Sequence, residues 1–173
     1  MRQCAAAAVI GAALLAGCAS FDGRGLVPGK STVAEVQALM GSPAQSLARP
    51  NGDSALYFSR LPEGRAMFVV TVGPDGVMKS IEQRLERQNL KRITAGTSTM
   101  KDVRELFGPP GRAGRLPRQG REWWEYKYRD YEERRIIWVQ FSDDGIVREV
   151  LDMLDWEWVR GGGLFGIHFG IHF

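Results

Sequence analysis

Gly29-Lys30-Ser31-Thr32-Val33-Ala34-Glu35-Val36-Gln37-Ala38-Leu39-Met40-Gly41-Ser42-Pro43 is matched 67 residues later by Gly96-Thr97-Ser98-Thr99-Met100-Lys101-Asp102-Val103-Arg104-Glu105-Leu106-Phe107-Gly108-Pro109-Pro110. Each copy carries the signals of a short helix. Thr32 with Glu35, and Thr99 with Asp102, have the spacing of a capping box, in which two side chains satisfy the first free N–H groups. Val33, Val36, Leu39 and Met40 form one apolar stripe, and Met100, Val103, Leu106 and Phe107 the other. Gly41 and Gly108 stand where a left-handed residue ends a helix, and Pro43 and Pro110 forbid its continuation.

The repeat extends downstream. Tyr57-Phe58-Ser59-Arg60 aligns with Tyr126-Lys127-Tyr128-Arg129, and Asp75-Gly76 with Asp144-Gly145, both at an offset of 69. On this alignment a two-residue insertion falls in the loop after Pro50 and Pro117. Asn51-Gly52, Gln119-Gly120 and the two Asp-Gly pairs are turn signals. Aromatic and β-branched runs between them predict strands at 55–60, 65–72 and 77–85, then at 122–129, 134–141 and 146–153. The expected fold is α+β: two tandem two-layer units, 26–88 and 89–158, each a helix or helix pair on an antiparallel meander of three to four strands. The polar stretch 84–92 reads as the linker.

Residues 1–17 have another purpose. Arg2 begins a short basic segment, and the alanine-rich run from Ala5 to Ala16 is apolar but well below the ~20 residues a membrane-spanning helix needs. This is the layout of an export signal. Leu15-Ala16-Gly17-Cys18 resembles the lipobox of bacterial lipoproteins, which implies lipid on Cys18 and cleavage before it. Cys4 leaves with the signal, so Cys18 is the one mature cysteine and no internal disulfide can form. Ala19, not an aspartate, follows it, which by resemblance to enterobacterial sorting favours the outer membrane. Residues 18–25 then read as a lipidated linker. Removal of Arg2 lowers the 23 basic residues to 22 against 20 acidic ones, too even a balance for a nucleic-acid binder.

Gly-x-(Ser/Thr)-Thr-x-x-(Glu/Asp)-Val-x-x-Leu-φ-Gly-x-Pro (φ apolar), followed by Trp124-Glu125-Tyr126 and a strand ending in Asp-Gly, resembles the SmpA/OmlA (BamE-like) family of outer-membrane lipoproteins. The likeness recurs in both units, whereas the family's barrel-assembly lipoprotein has one. Tandem units of similar design occur in β-lactamase inhibitor proteins. The resemblance implies a non-catalytic protein-binding lipoprotein on the periplasmic face of the outer membrane, engaging envelope proteins such as the β-barrel assembly machinery. The alternative is an inhibitor-like module that blocks an enzyme of the same compartment.

Other chemistry is thinly represented. Gly29-Lys30-Ser31-Thr32 imitates the end of a phosphate loop, but Arg24 stands where that loop needs glycine. His168 and His172 are the only histidines; four residues apart on a strand they lie ~13 Å apart, too far for one ion. No nucleophile has a base at a useful spacing, and Glu132-Glu133 and Asp143-Asp144 fall at turns. No enzyme activity, cofactor, metal or small-molecule substrate is expected.

A sheet face carries the candidate site. With Trp124, Tyr126 and Tyr128 turned to the helix, alternation turns Trp123, Glu125, Lys127 and Arg129 outward, beside Ile136, Trp138 and Gln140. The alignment assigns Leu56, Phe58, Arg60, Met67 and Val69 to the same role in the first unit. Trp, aliphatic and Arg side chains together suit a protein-binding hot spot; equally, they suit a seal between the units. Arg112, Arg115, Arg118 and Arg121 form a basic loop that reads either as a head-group contact or as solvated charge. In the tail, 159–173, Phe165, Ile167, Phe169, Ile171 and Phe173 alternate with Gly and His, which reads either as a strand that docks by pairing or as a disordered end.

Overall fold

The computed structural model describes residues 21–160. The expected export signal, Cys18 and the alternating tail with His168 and His172 lie outside them. The order is α1 (Val33–Met40), β1 (Gln45–Ala48), β2 (Ser54–Ser59), β3 (Met67–Val72), β4 (Met78–Gln83), α2 (Arg87–Leu90), α3 (Met100–Phe107), β5 (Arg112–Leu116), β6 (Arg121–Asp130), β7 (Glu133–Ser142), β8 (Val147–Leu154) and α4 (Trp156–Arg160). The strands form two antiparallel four-stranded meanders, sheet 1 from β1 to β4 and sheet 2 from β5 to β8. The fold is α+β in two tandem units, and the optional fourth strand is present in both.

Both helices begin as the capping boxes dictate. Thr32 N–H donates to Glu35 at 2.7 Å and Thr99 N–H to Asp102 at 2.8 Å, while each threonine hydroxyl accepts a backbone N–H in return. Such a cap contributes about 1 kcal/mol. Gly41 (φ 86°, ψ −162°) and Gly108 (φ 73°, ψ −162°) end the helices at positive φ, but not in the expected left-handed well. Their ψ places them in an extended region open only to glycine.

Gly29 to Thr32 is a tie, not a phosphate loop. Gly29 N–H donates to Met78 O and Met78 N–H to Ser31 O, and Ser31 Oγ accepts from Val27 N–H. Gly96, Val147, Ser98 and Thr94 repeat the same bonds in the second unit. These ties fix each helix start against the first residue of its last strand.

Strand pairing corrects the repeat alignment. Phe58 pairs with Phe68, and Tyr126 pairs with Ile137. Matching β-bulges at Thr71/Val72 and Gln140/Phe141 fix the third strands at an offset of 69, so Phe58 corresponds to Tyr126, an offset of 68. One inserted residue therefore lies between β5 and β6 and the other between β6 and β7. The slip reverses the faces of the second strand, because side chains alternate with period two.

The layers stack. On sheet 1, Leu56, Phe58, Phe68 and Val70 meet Val36 and Met40 of α1. The opposite side of the same sheet, with Ala55, Tyr57, Met67 and Val69, joins a core with Val103, Leu106 and Phe107 of α3 and with Trp124, Tyr126, Ile137, Val139 and Phe141 of sheet 2. Thus α3 lies between the sheets and binds both. Tyr57 Oη donates to Glu105 O at 2.7 Å and Tyr126 Oη to Gly108 O at 3.1 Å. The linker is not free chain: Leu85 is buried, and Leu90 and Ile93 pack on the shared core.

Candidate protein-binding site

The two units differ at their back faces, the sides turned away from their own helices. In the first unit Leu56 and Phe58 are not there at all; they are buried beneath α1, a consequence of the one-residue slip. Arg60 is exposed and lies 3.8 Å above the Phe21 ring. Met67 and Val69 do occupy the back face, where they seal the contact with α3. No open hot spot exists on sheet 1.

Sheet 2 keeps the expected alternation. Trp124, Tyr126 and Tyr128 point to the core, and Trp123, Glu125, Lys127 and Arg129 point away. Trp123 and Trp138 are partly exposed and their rings meet at 5.1 Å. Gly114 makes this possible: a Cβ there would stand 2.6 Å from the Trp123 ring, so only glycine lets the indole lie across β5. Trp138 Nε1 is buried with no acceptor in the protein, a cost of about 1–3 kcal/mol.

Lys127 is not the exposed cation the alternation implied. It is 7% exposed, and its Nζ pairs with Glu157 of α4 and lies 3.9 Å from Asp155. Arg112 reaches the same Glu157 at 2.9 Å and Glu125 at 3.8 Å. Asp155, fully buried, accepts the Glu157 N–H at the start of α4 and pairs with Arg65 from the first unit. Hydrogen bonds from Lys127 and Arg112 hold the Glu157 carboxyl down at about 2, whereas burial pushes Glu125 up and Arg112 and Lys127 pull it back. Arg129 is exposed, Arg134 lies 5.7 Å above the Trp158 ring, and Ile136 and Gln140 are buried.

The basic loop is largely neutralised. Besides Arg112, Arg115 pairs with Asp143 at 2.5 Å, and Arg121 with Gln140 at 2.9 Å and Glu149 at 3.6 Å. Asp155 and Glu157 were missed from the sequence, although aspartate at a helix start is a known signal. Among the described residues, no group of three His, Cys, Asp or Glu could hold a metal, and no helix is long and apolar enough to cross a membrane.

No protein-family model, curated protein or solved structure matches the chain. The motif likeness to SmpA/OmlA lipoproteins therefore stands on the residues quoted for it.

Proposed function

We propose that the protein is a lipoprotein anchored through Cys18 to the outer membrane, facing the periplasm, and that it binds another envelope protein on the back of sheet 2. The SmpA/OmlA-like motifs and the lipobox support this reading. The observation that carries it is the Trp123–Trp138 pair, partly exposed with its rings in contact on a face whose Lys127 and Arg112 are tied to α4. Large aromatics of this kind dominate the energy of protein interfaces. The partner class we favour is the β-barrel assembly machinery or another envelope-assembly component.

Capture from solubilised membranes tests it. Trp123→Ala with Trp138→Ala should lower partner recovery at least tenfold while the melting temperature of the purified protein moves little. Normal recovery per folded molecule would remove these tryptophans from the partner site. Recovery of a lone hydrolase in fixed ratio would favour the inhibitor reading instead.

A further inference from the structure

The contact of α3 with sheet 1 has a counterpart on sheet 2, and α4 occupies it. On sheet 1, α3 touches Gln45 through Arg104 (3.3 Å), Tyr57 through Glu105 O, and Tyr57 and Met67 through Gly108, whose Cβ would meet them at 2.8 and 3.0 Å. In the corrected register the positions matching Gln45, Tyr57 and Met67 are Arg112, Glu125 and Ile136. Arg112 is a direct partner of Glu157 in α4, and Lys127, two residues beyond Glu125 on the same face, is the other.

The first unit also keeps the helix surface that such a contact uses. Arg104, Glu105 and Gly108 of the second unit correspond to Gln37, Ala38 and Gly41, all exposed on α1. A Cβ on Gly41 would meet nothing within 4 Å. One end of the molecule therefore presents a helix back like that of α3, and the other a sheet back like that of sheet 1. Ends so paired invite a heterologous contact, which does not close and propagates into open chains. Stacked units require a cap for this reason.

We propose that α4 is that cap: by sitting on sheet 2 where α3 sits on sheet 1, it keeps the α1 of a second copy from docking there. This goes beyond the partner reading and does not rest on it, since self-association and envelope-protein capture are measured separately.

The test uses the full chain in detergent, carrying Glu157→Lys with Trp158→Ser to break both α4 contacts. Amide exchange at residues 156–160 reports whether α4 has left, and sedimentation reports size. Wild type should be monomeric. The variant should exchange at least tenfold faster in α4 and form a concentration-dependent series of oligomers, and adding Ala38→Arg should return it to monomer with an unchanged circular dichroism spectrum. The proposal is overturned by a variant that stays monomeric after α4 is released, by association that ignores Ala38→Arg, or by unaltered protection of α4.

Discussion

The two units share a plan and differ in what fills it. The first packs α1 with Val36, Met40, Leu56, Phe58, Val70 and Met78, an aliphatic and Met-rich set. The second surrounds α3 with Phe107, Trp124, Tyr126, Tyr128 and Phe141. The difference follows from position in the stack. A helix covered on one side needs one apolar stripe; α3, covered on both, needs bulk that reaches two sheets. Phe107 against Tyr126 at 5.4 Å and Trp124 against Phe141 at 4.7 Å supply it.

The largest effect should come from one matched pair of helix positions. Phe107→Ala removes a fully buried ring from the core that joins the units and should cost about 3–5 kcal/mol. Met40→Ala, at the same position of α1, should cost nearer the lower end of the ~2–5 kcal/mol range for such truncations. Denaturant unfolding measures both. Equal losses would mean that the shared core does no more for stability than the outer one.

The helix-ending glycines sharpen the contrast. Gly41→Ala meets only the backbone strain of a glycine region, of order 1–3 kcal/mol. Gly108→Ala meets that strain and also Tyr57 and Met67, so its melting temperature should fall clearly further. A similar fall in both would show that Tyr57 and Met67 yield without cost.

The smallest effect concerns α4, which follows β8 as α2 follows β4 but carries Glu157 where α2 has Gln88. The folded pKa of Glu157 is depressed to about 2 from a reference of 4.5. Its contribution is therefore present above the reference value and is lost as the pH falls toward 2. Lys127, Arg112, Asp155 and Glu125 all face it. Protection of the α4 amides, taken against the intrinsic exchange rate at each pH, should fall between about pH 4.5 and 2. Glu157→Gln should show the lower protection already at pH 7, and wild-type protection that does not change with pH would contradict the assigned ion pairs.

Much of this architecture could be read from residues alone, because local chemistry specified it. The threonine caps, the glycine stops and the Asp-Gly turns each act within a few positions, and six strands fall within two residues of expectation at either end. The register could not be read as well. Tyr57 and Tyr126 look equivalent in sequence, yet Tyr57 faces the second unit and Tyr126 its own helix. Only the bulges and pairings reveal the inserted residue in each connection. On the site, Trp123 and Trp138 were legible from alternation, while burial of Lys127 depends on Asp155 and Glu157, which are 28 and 30 residues downstream. Such long-range charge pairing leaves no period in a sequence.

Phe21 bears on how far the protein can roam. Expected as part of a loose linker, it instead packs on the first core, edge-on to Phe68 at 6.1 Å and beneath the Arg60 guanidinium. Between the proposed lipid-bearing Cys18 and this fixed ring the chain takes three residue steps, which span at most about 11 Å when fully extended. With lipid on Cys18 as proposed, a leash that short would hold the folded body beside the head groups, and a partner fixed in an opposite membrane would lie beyond its reach.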